Sequence, residues 1–399
     1  GTPRAGGGTP RSVSSRVGTA HLIPGPNPDP AAVSADQLFS AALIEANLDR
    51  RRLSILRGSE PVAPPARPQS RDPVEAGIDH TMVEPTFPEI GVQDPAQDIG
   101  NGAFGELGSH DPLKLTYSCV TRPGNDPAKR QKENQDTYCV HNGVGNDMDS
   151  FVVCVFDGHG PNGALASHFV RDTLVHLWSE MGLGRRSCQS EDEIRRILHN
   201  GCVEVNHRLA TSEIDVYVSG TTGILGVIKR NNLFVANVGD SRAVLGRVDD
   251  DGTLIAVELS QDQKPDRPDE LARIVRYGGR VFEWGVPRVW QRDADIPGLA
   301  MARSFGDLAA ETVGVFAEPE ISVTQLTQQD KFLIFATDGV WEFLSSEEVT
   351  RIIAKHMFVK SAEVAARDAS VEVIKTAVAK WNSEEDVVDD STCVIIALT

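Results

Sequence analysis

A run of six apolar residues, Phe151 to Phe156, ends abruptly in Asp157-Gly158-His159-Gly160. FVVCVF is apolar on both faces, so it reads as a buried strand. An ionised carboxylate at the end of such a strand is costly unless something cationic meets it. The same arrangement recurs along the chain. Asp240 follows LFVANVG, Asp338 follows FLIFAT, Asp389 and Asp390 precede STCVIIAL, and Asp136 precedes TYCV. One Asp at a strand end is an ordinary turn residue. Five strands with acids at their ends, two of them in Asp-Gly, point instead to ends that converge. Converged carboxylates repel one another and hold protons unless cations bind among them. Oxygen ligands without a Cys or His cluster select Mg²⁺ or Mn²⁺ over Zn²⁺. Two such ions suit in-line displacement at phosphorus, because they activate a water and neutralise phosphoryl oxygens. Glycine after Asp157 and Asp338 allows a sharp turn and leaves the main-chain carbonyl open to a metal. His159 is either structural or a general acid beside the cations.

Positioning these acids needs a β-rich scaffold. Strands are expected at Phe151–Phe156, Gly223–Ile228, Leu233–Asn237, Arg242–Arg247, Leu254–Leu259, Ile321–Gln325, Phe332–Thr337 and Thr392–Leu398. Asp250-Asp251-Gly252 marks a hairpin turn. One amphipathic helix is expected from about Gly163 to Met181, with Leu165, Phe169, Leu174, Leu177 and Trp178 on one side. A second begins at Ser190, capped with Glu193, and carries Ile194, Ile197, Val205 and Leu209. Hairpin-linked strands with paired helices predict an α+β layered fold rather than a parallel βαβ sheet.

The chain is acidic, with a net charge of −18 over 399 residues, which argues against nucleic-acid binding. Residues 1–72 carry nine Arg, no Lys and six acids. Residues 1–112 read as a Pro/Gly-rich arm, interrupted by Ser34 to Gly58, where a capping box, helical spacing and a Gly stop predict one helix over about 34–57. That segment either docks as a helix on its own domain, offers its apolar face to a protein partner, or forms no stable helix. No apolar run approaches the roughly 18 residues of a membrane span. The six cysteines contain no CxxC pair and are expected to be reduced and mostly buried, in an intracellular protein of the cytoplasm or nucleus. Cys202 and Arg208 form a C-x5-R match, but VEVNH between them is neither Gly-rich nor loop-like, so a catalytic thiolate is disfavoured.

KENQDTY, VFDGHG, SGTTG (Ser219 to Gly223), NVGDSRAVL, LAMARSFGD (Leu299 to Asp307), FATDGVWEFLS (Phe335 to Ser345) and DDSTCVII follow in order. From about residue 113 to 399 the chain resembles the metal-dependent type 2C serine/threonine protein phosphatases. The resemblance implies a four-layer αββα sandwich of two antiparallel β-sheets flanked by helix pairs. It implies hydrolysis of phosphoserine or phosphothreonine on proteins by a metal-activated water, without a phosphoenzyme. Asp157 would bridge two metal ions, with the Gly158 carbonyl on one and Asp338 and Asp389 on the other. Asp240, with Asp338, would form a third and weaker metal site. Asp136 would orient the waters of the cations, and His159 would protonate the leaving alkoxide. Two positions depart from the family's pattern: Gln135 stands where Glu is frequent, and Gln131 where an Arg usually grips phosphate. Arg130 or Lys132 could take that place, and the choice matters because only Arg binds phosphate bidentately. Residues from Tyr277 to Gly298 fall where the family carries a variable flap; Trp284 and Trp290 either contact substrate or pack the flap. The rival reading is a phosphatase-like regulatory or scaffold module anchored through its N-terminal arm.

Overall fold

The computed structural model describes Gly1 and residues 102–110, 113–144, 147–185, 188, 190–357 and 361–399. The expected helix at 34–57 and nearly all of the arm lie outside the described residues. The chain divides into two units, Gly1–Arg71 and Asp72–Thr399, and every described strand and helix belongs to the second.

Two antiparallel sheets stack face to face. The first runs in the order Gly102–His110, Leu113–Arg122, Ser391–Leu398, Asp330–Ala336, Arg242–Val248, Leu254–Glu258. The second runs Glu320–Gln325, Asn232–Val238, Gly223–Lys229, Asp147–Phe156, Thr137–Val144. The first sheet thus begins at Gly102, ahead of the change expected at Leu113. All eight strands expected from the sequence are present, each with ends shifted by no more than a few residues. The expected turn at Asp250-Asp251-Gly252 is closed by Asp249, whose Oδ1 accepts from the backbone N–H groups of Asp251 and Thr253.

FVVCVF shows why the layers form. Phe151, Val153 and Val155 face the other sheet, among Leu245, Leu333, Phe335, Val394 and Ile396. Val152, Cys154 and Phe156 face outward onto helices Gly163–Met181 and Glu191–Ala210. A strand apolar on both faces must be covered on both. The outer face of the first sheet, with Phe332, Ile334 and Ile395, is covered by helices Ser346–Met357 and Ala362–Glu384. The result is the four-layer αββα sandwich. Ser190 caps its helix as expected, its side chain accepting from the Glu193 N–H at 3.2 Å. Leu165 departs from expectation: it is 56% exposed, and Ala166 and Val170 bury the helix instead. Among the described residues, no helix is long and apolar enough to cross a membrane.

Candidate active site

Strand register delivers the acids to one edge. Thr137 pairs with Phe156, so Asp136 just before the one strand and Asp157 just after the other leave the ladder together. In the first sheet Arg242 pairs with Ala336 and Ala336 with Cys393. Asp240, Asp338, Asp389 and Asp390 therefore leave that sheet at one end too. Antiparallel pairing makes this necessary, since the end of one strand lies beside the start of the next. The two edges meet where Thr337 donates its hydroxyl to Asp136 Oδ2 at 2.9 Å, while accepting from the Thr392 N–H at 3.0 Å. SGTTG adds a second tie. The Asp157 carbonyl accepts from the Thr222 N–H and the Thr221 hydroxyl, and Thr222 Oγ1 bonds Ser241 Oγ at 2.7 Å beside Asp240.

The two Asp-Gly glycines serve close approach rather than the sharp turn expected of them. A Cβ on Gly339 would run into the Asp390 carbonyl, and one on Gly158 into the Gly163 carbonyl. Neither has a positive φ.

The electrostatics are strained by mutual repulsion. Burial first, then the charges of Asp136, Asp338, Asp389 and Asp240, pushes the Asp157 carboxyl well above the usual range. Burial, then Asp240 and Asp389, pushes Asp338 up to about 7, against the pull of Lys264. Burial, with the charges of Asp390 and Asp389, likewise raises Asp136 against hydroxyl bonds from Thr392 and Thr337. Oδ1 of Asp136, Asp240 and Asp338 is buried without a hydrogen-bond partner. Two ammonium groups offset part of the charge: Lys264 Nζ sits 2.6 Å from Asp240 Oδ2, and Lys132 Nζ 2.7 Å from Asp389 Oδ1. Buried partnerless carboxylate oxygens with no sulfur or imidazole cluster among them fit hard divalent cations.

Asp389 and Asp390 have separate duties. Asp390 accepts from the backbone N–H groups of Gly124 at 2.6 Å and Gln135 at 2.9 Å, which ties two loops to the strand end. Asp389 keeps a 45% exposed side chain toward Lys132. The structure brings Lys132 to the acids and leaves Arg130 out: Arg130 is 80% exposed and bound to Asp126 at 2.7 Å. Gln135, in the place of the frequent Glu, donates its amide to the Gly160 carbonyl at 2.9 Å.

His159 lies beside the acids. Its Nε2 is 2.6 Å from Asp307 Oδ2, and its Nδ1 is buried without a partner. Burial disfavours the charged ring, but Asp307, and then Asp240 and Asp338, outweigh it and raise the imidazole above its ordinary value. Asp307, which closes the LAMARSFGD motif, joins the site in addition to the residues expected from the sequence.

A tighter acidic group exists elsewhere. Asp269, Glu270 and Glu320 offer oxygens within 4.8 Å of one another. Arg267, Arg273 and Arg303 already neutralise it, so it has no electrostatic need of a metal. Cys202 is fully buried inside its helix, and burial pushes its thiol up. A thiol held protonated in a helix has no nucleophilic role. In the flap, Trp290 is buried and stacks on Phe282 at 4.9 Å and on Trp284 at 5.5 Å, whereas Trp284 is 70% exposed. Trp290 therefore packs the flap.

Known proteins resemble this chain in sequence and in fold. The family model described as protein phosphatase 2C matches residues 125–386. The probable protein phosphatase 2C 35 of Arabidopsis thaliana is 33% identical over 306 residues, covering 71% of this chain and 84% of its own length. The probable protein phosphatase 2C 72 of the same plant is 42% identical over 231 residues, 55% of this chain and 69% of its own. Among solved structures, the serine-threonine phosphatase 2C of Toxoplasma gondii superposes with a TM-score of 0.64 at 21% identity, over 75% of this chain and 100% of that one.

Proposed function

The chain belongs to the protein phosphatase 2C family, and on that premise we propose how its residues divide the work. The protein is a metal-dependent protein serine/threonine phosphatase acting on phosphoproteins, in a family that works with Mg²⁺ or Mn²⁺. The observation that supports the assignment is the gathering of acids at strand ends of both sheets, with buried, partnerless oxygens on Asp136, Asp240 and Asp338 and burial and neighbouring charges raising Asp157. Asp157 would serve two cations, with the Gly158 carbonyl at one and Asp338 and Asp389 at the other. Asp240 and Asp338 would hold a third. When bound, the cations supply an activated water and neutralise the phosphoryl group.

The chain's own residues do the rest. Asp136 is held through Oδ2 by Thr337, which leaves Oδ1 to accept from a water and orient it. Lys132, whose ammonium lies beside Asp389, would meet a phosphoryl oxygen as a point charge. His159 gives a proton to the serine or threonine oxygen as its bond to phosphorus breaks. Water oxygen ends on phosphorus, so the products are the free hydroxyl and inorganic phosphate, with no phosphoenzyme. A scaffold reading without turnover is not favoured, because none of the Asp residues expected to hold metal is missing from the sequence. The six free thiols support a reducing compartment, cytoplasm or nucleus.

The test is hydrolysis of a phosphoserine peptide by the full chain with Mn²⁺, after exhaustive chelation, and in Asp338→Asn. Turnover should need the metal and fall at least about 100-fold in the variant. Equal turnover after chelation would overturn the assignment.

A further inference from the structure

Three two-residue strands stand beside the acids, in the order Phe305–Gly306, Gly220–Thr221, Gly158–His159. Gly220 is the middle rung, paired with Gly306 on one side and His159 on the other. Asp307 follows Gly306 directly and reaches over Gly220 to His159. The crossing demands glycine there, since a Cβ on Gly220 would collide with Asp307 Oδ2.

Asp307 is held in a conformation that few non-glycine residues adopt, φ 47° and ψ 49°. Such a backbone persists only where its surroundings impose it. Here the Asp307 N–H donates to the Ser219 carbonyl at 2.9 Å, and its carbonyl accepts from Ala310 at 2.8 Å and Glu311 at 2.9 Å. The side chain is 1% exposed, and His159 is its one hydrogen-bond partner among the described residues. A carboxylate buried this thoroughly, over a strained backbone and aimed at a single ring nitrogen, has a task that turn formation does not explain.

We infer that Asp307 is the positioning residue of the general acid: it takes the Nε2–H of His159 and fixes the ring so that Nδ1 is the nitrogen that serves the leaving oxygen. This rests on the reading of His159 as that acid. In the step, the bond from phosphorus to the seryl oxygen breaks with its electron pair on oxygen. The Nδ1 proton moves to that oxygen, and the neutral ring keeps its Nε2–H on Asp307. Solvent later returns a proton to Nδ1. Without Asp307 the ring can turn or take the other tautomer, and Nδ1 no longer presents its proton.

The experiment compares two leaving groups. A phosphoserine peptide expels an alkoxide that needs a proton, whereas p-nitrophenyl phosphate expels a phenolate that does not. Asp307→Gly removes the carboxylate and suits the left-handed backbone; Asp307→Asn keeps the shape. Each should lower kcat on the peptide at least about tenfold more than kcat on the aryl ester, with KM nearly constant. His159→Ala should show the same split, and adding Asp307→Gly to it should deepen the split no further. If His159→Ala hits both substrates equally, the acid reading itself fails. If His159→Ala shows the split and the Asp307 variants do not, Asp307 is only structural. If either Asp307 variant raises the Mn²⁺ concentration for half-maximal turnover about tenfold, Asp307 is a metal ligand and the inference is wrong.

Discussion

Asp136 and Asp157 flank a single rung of a β-ladder, the Thr137–Phe156 pair, and so enter the same buried space from opposite chain directions. That pair fixes the backbone next to both carboxylates. The fold thus holds mutual repulsion at this edge, and a divalent cation bound there would release it.

Replacing Asp157 by Asn removes one buried charge and keeps the shape. In metal-free protein this should raise the unfolding free energy by about 1–2 kcal/mol, against the usual direction for a buried substitution. Wild type at 100 times its Kd for Mn²⁺ should gain about 2.7 kcal/mol. Asp157→Asn should gain far less. Denaturant unfolding with and without Mn²⁺ reads both.

Acid should stabilise the metal-free fold at this site. The folded Asp338 carboxyl sits at about 7, above its value in an unfolded chain, with Asp157 and Asp136 raised as well. Their stabilising contribution is full below the unfolded pKa of about 3.9 and is lost as pH climbs through the folded values. For Asp338 the window is roughly pH 4 to 7. The difference in Tm between metal-free wild type and metal-free Asp338→Asn should therefore move against wild type across that window. Saturating Mn²⁺ should reverse the trend, because protons compete with the ion. A difference independent of pH would contradict the repulsion described here.

Lys132 and Arg130 should behave differently. Lys132 adjoins Asp389, whereas Arg130 is spent on Asp126 at the surface. Lys132→Ala should raise KM for a phosphopeptide roughly fivefold to tenfold. Arg130→Ala should stay within about twofold, as surface ion pairs contribute little. Steady-state kinetics on one peptide decides it, and the reverse ranking would assign the phosphate contact to Arg130.

Cys202→Ser should keep turnover within about twofold while costing about 1–3 kcal/mol of stability, since it buries a hydroxyl in an apolar layer. Complete loss of activity in a folded variant would revive the thiolate mechanism. Arg208, the other half of the C-x5-R match, is bound at the surface to Glu204.

Much of the fold is legible in the sequence. Strands such as FVVCVF and FLIFAT declare themselves because both faces are covered and both must be apolar. Leu113–Arg122 is harder to read: its buried Thr116 and Ser118 break the apolar signal, and Ser118 bonds Ser370 of the covering helix at 2.8 Å. That helix, Ala362–Glu384, packs through Ala365, Ala366, Ala369 and Ala377, which give little contrast with its exposed face. The acids are readable as a set because each stands at one end of an apolar strand. Asp307 is not, because its partner lies 148 residues away and nothing local to LAMARSFGD names His159. The choice between Arg130 and Lys132 is equally open in the sequence, since it depends on where a loop turns each side chain.

The most direct measurement is anomalous diffraction at the manganese edge from crystals soaked in Mn²⁺. Peaks should appear with an Asp157 oxygen in the inner coordination sphere, about 2.0–2.6 Å away, and with Asp338 and Asp389 around them. Manganese bound at Asp269, Glu270 and Glu320 instead, with nothing against Asp157, would contradict the account.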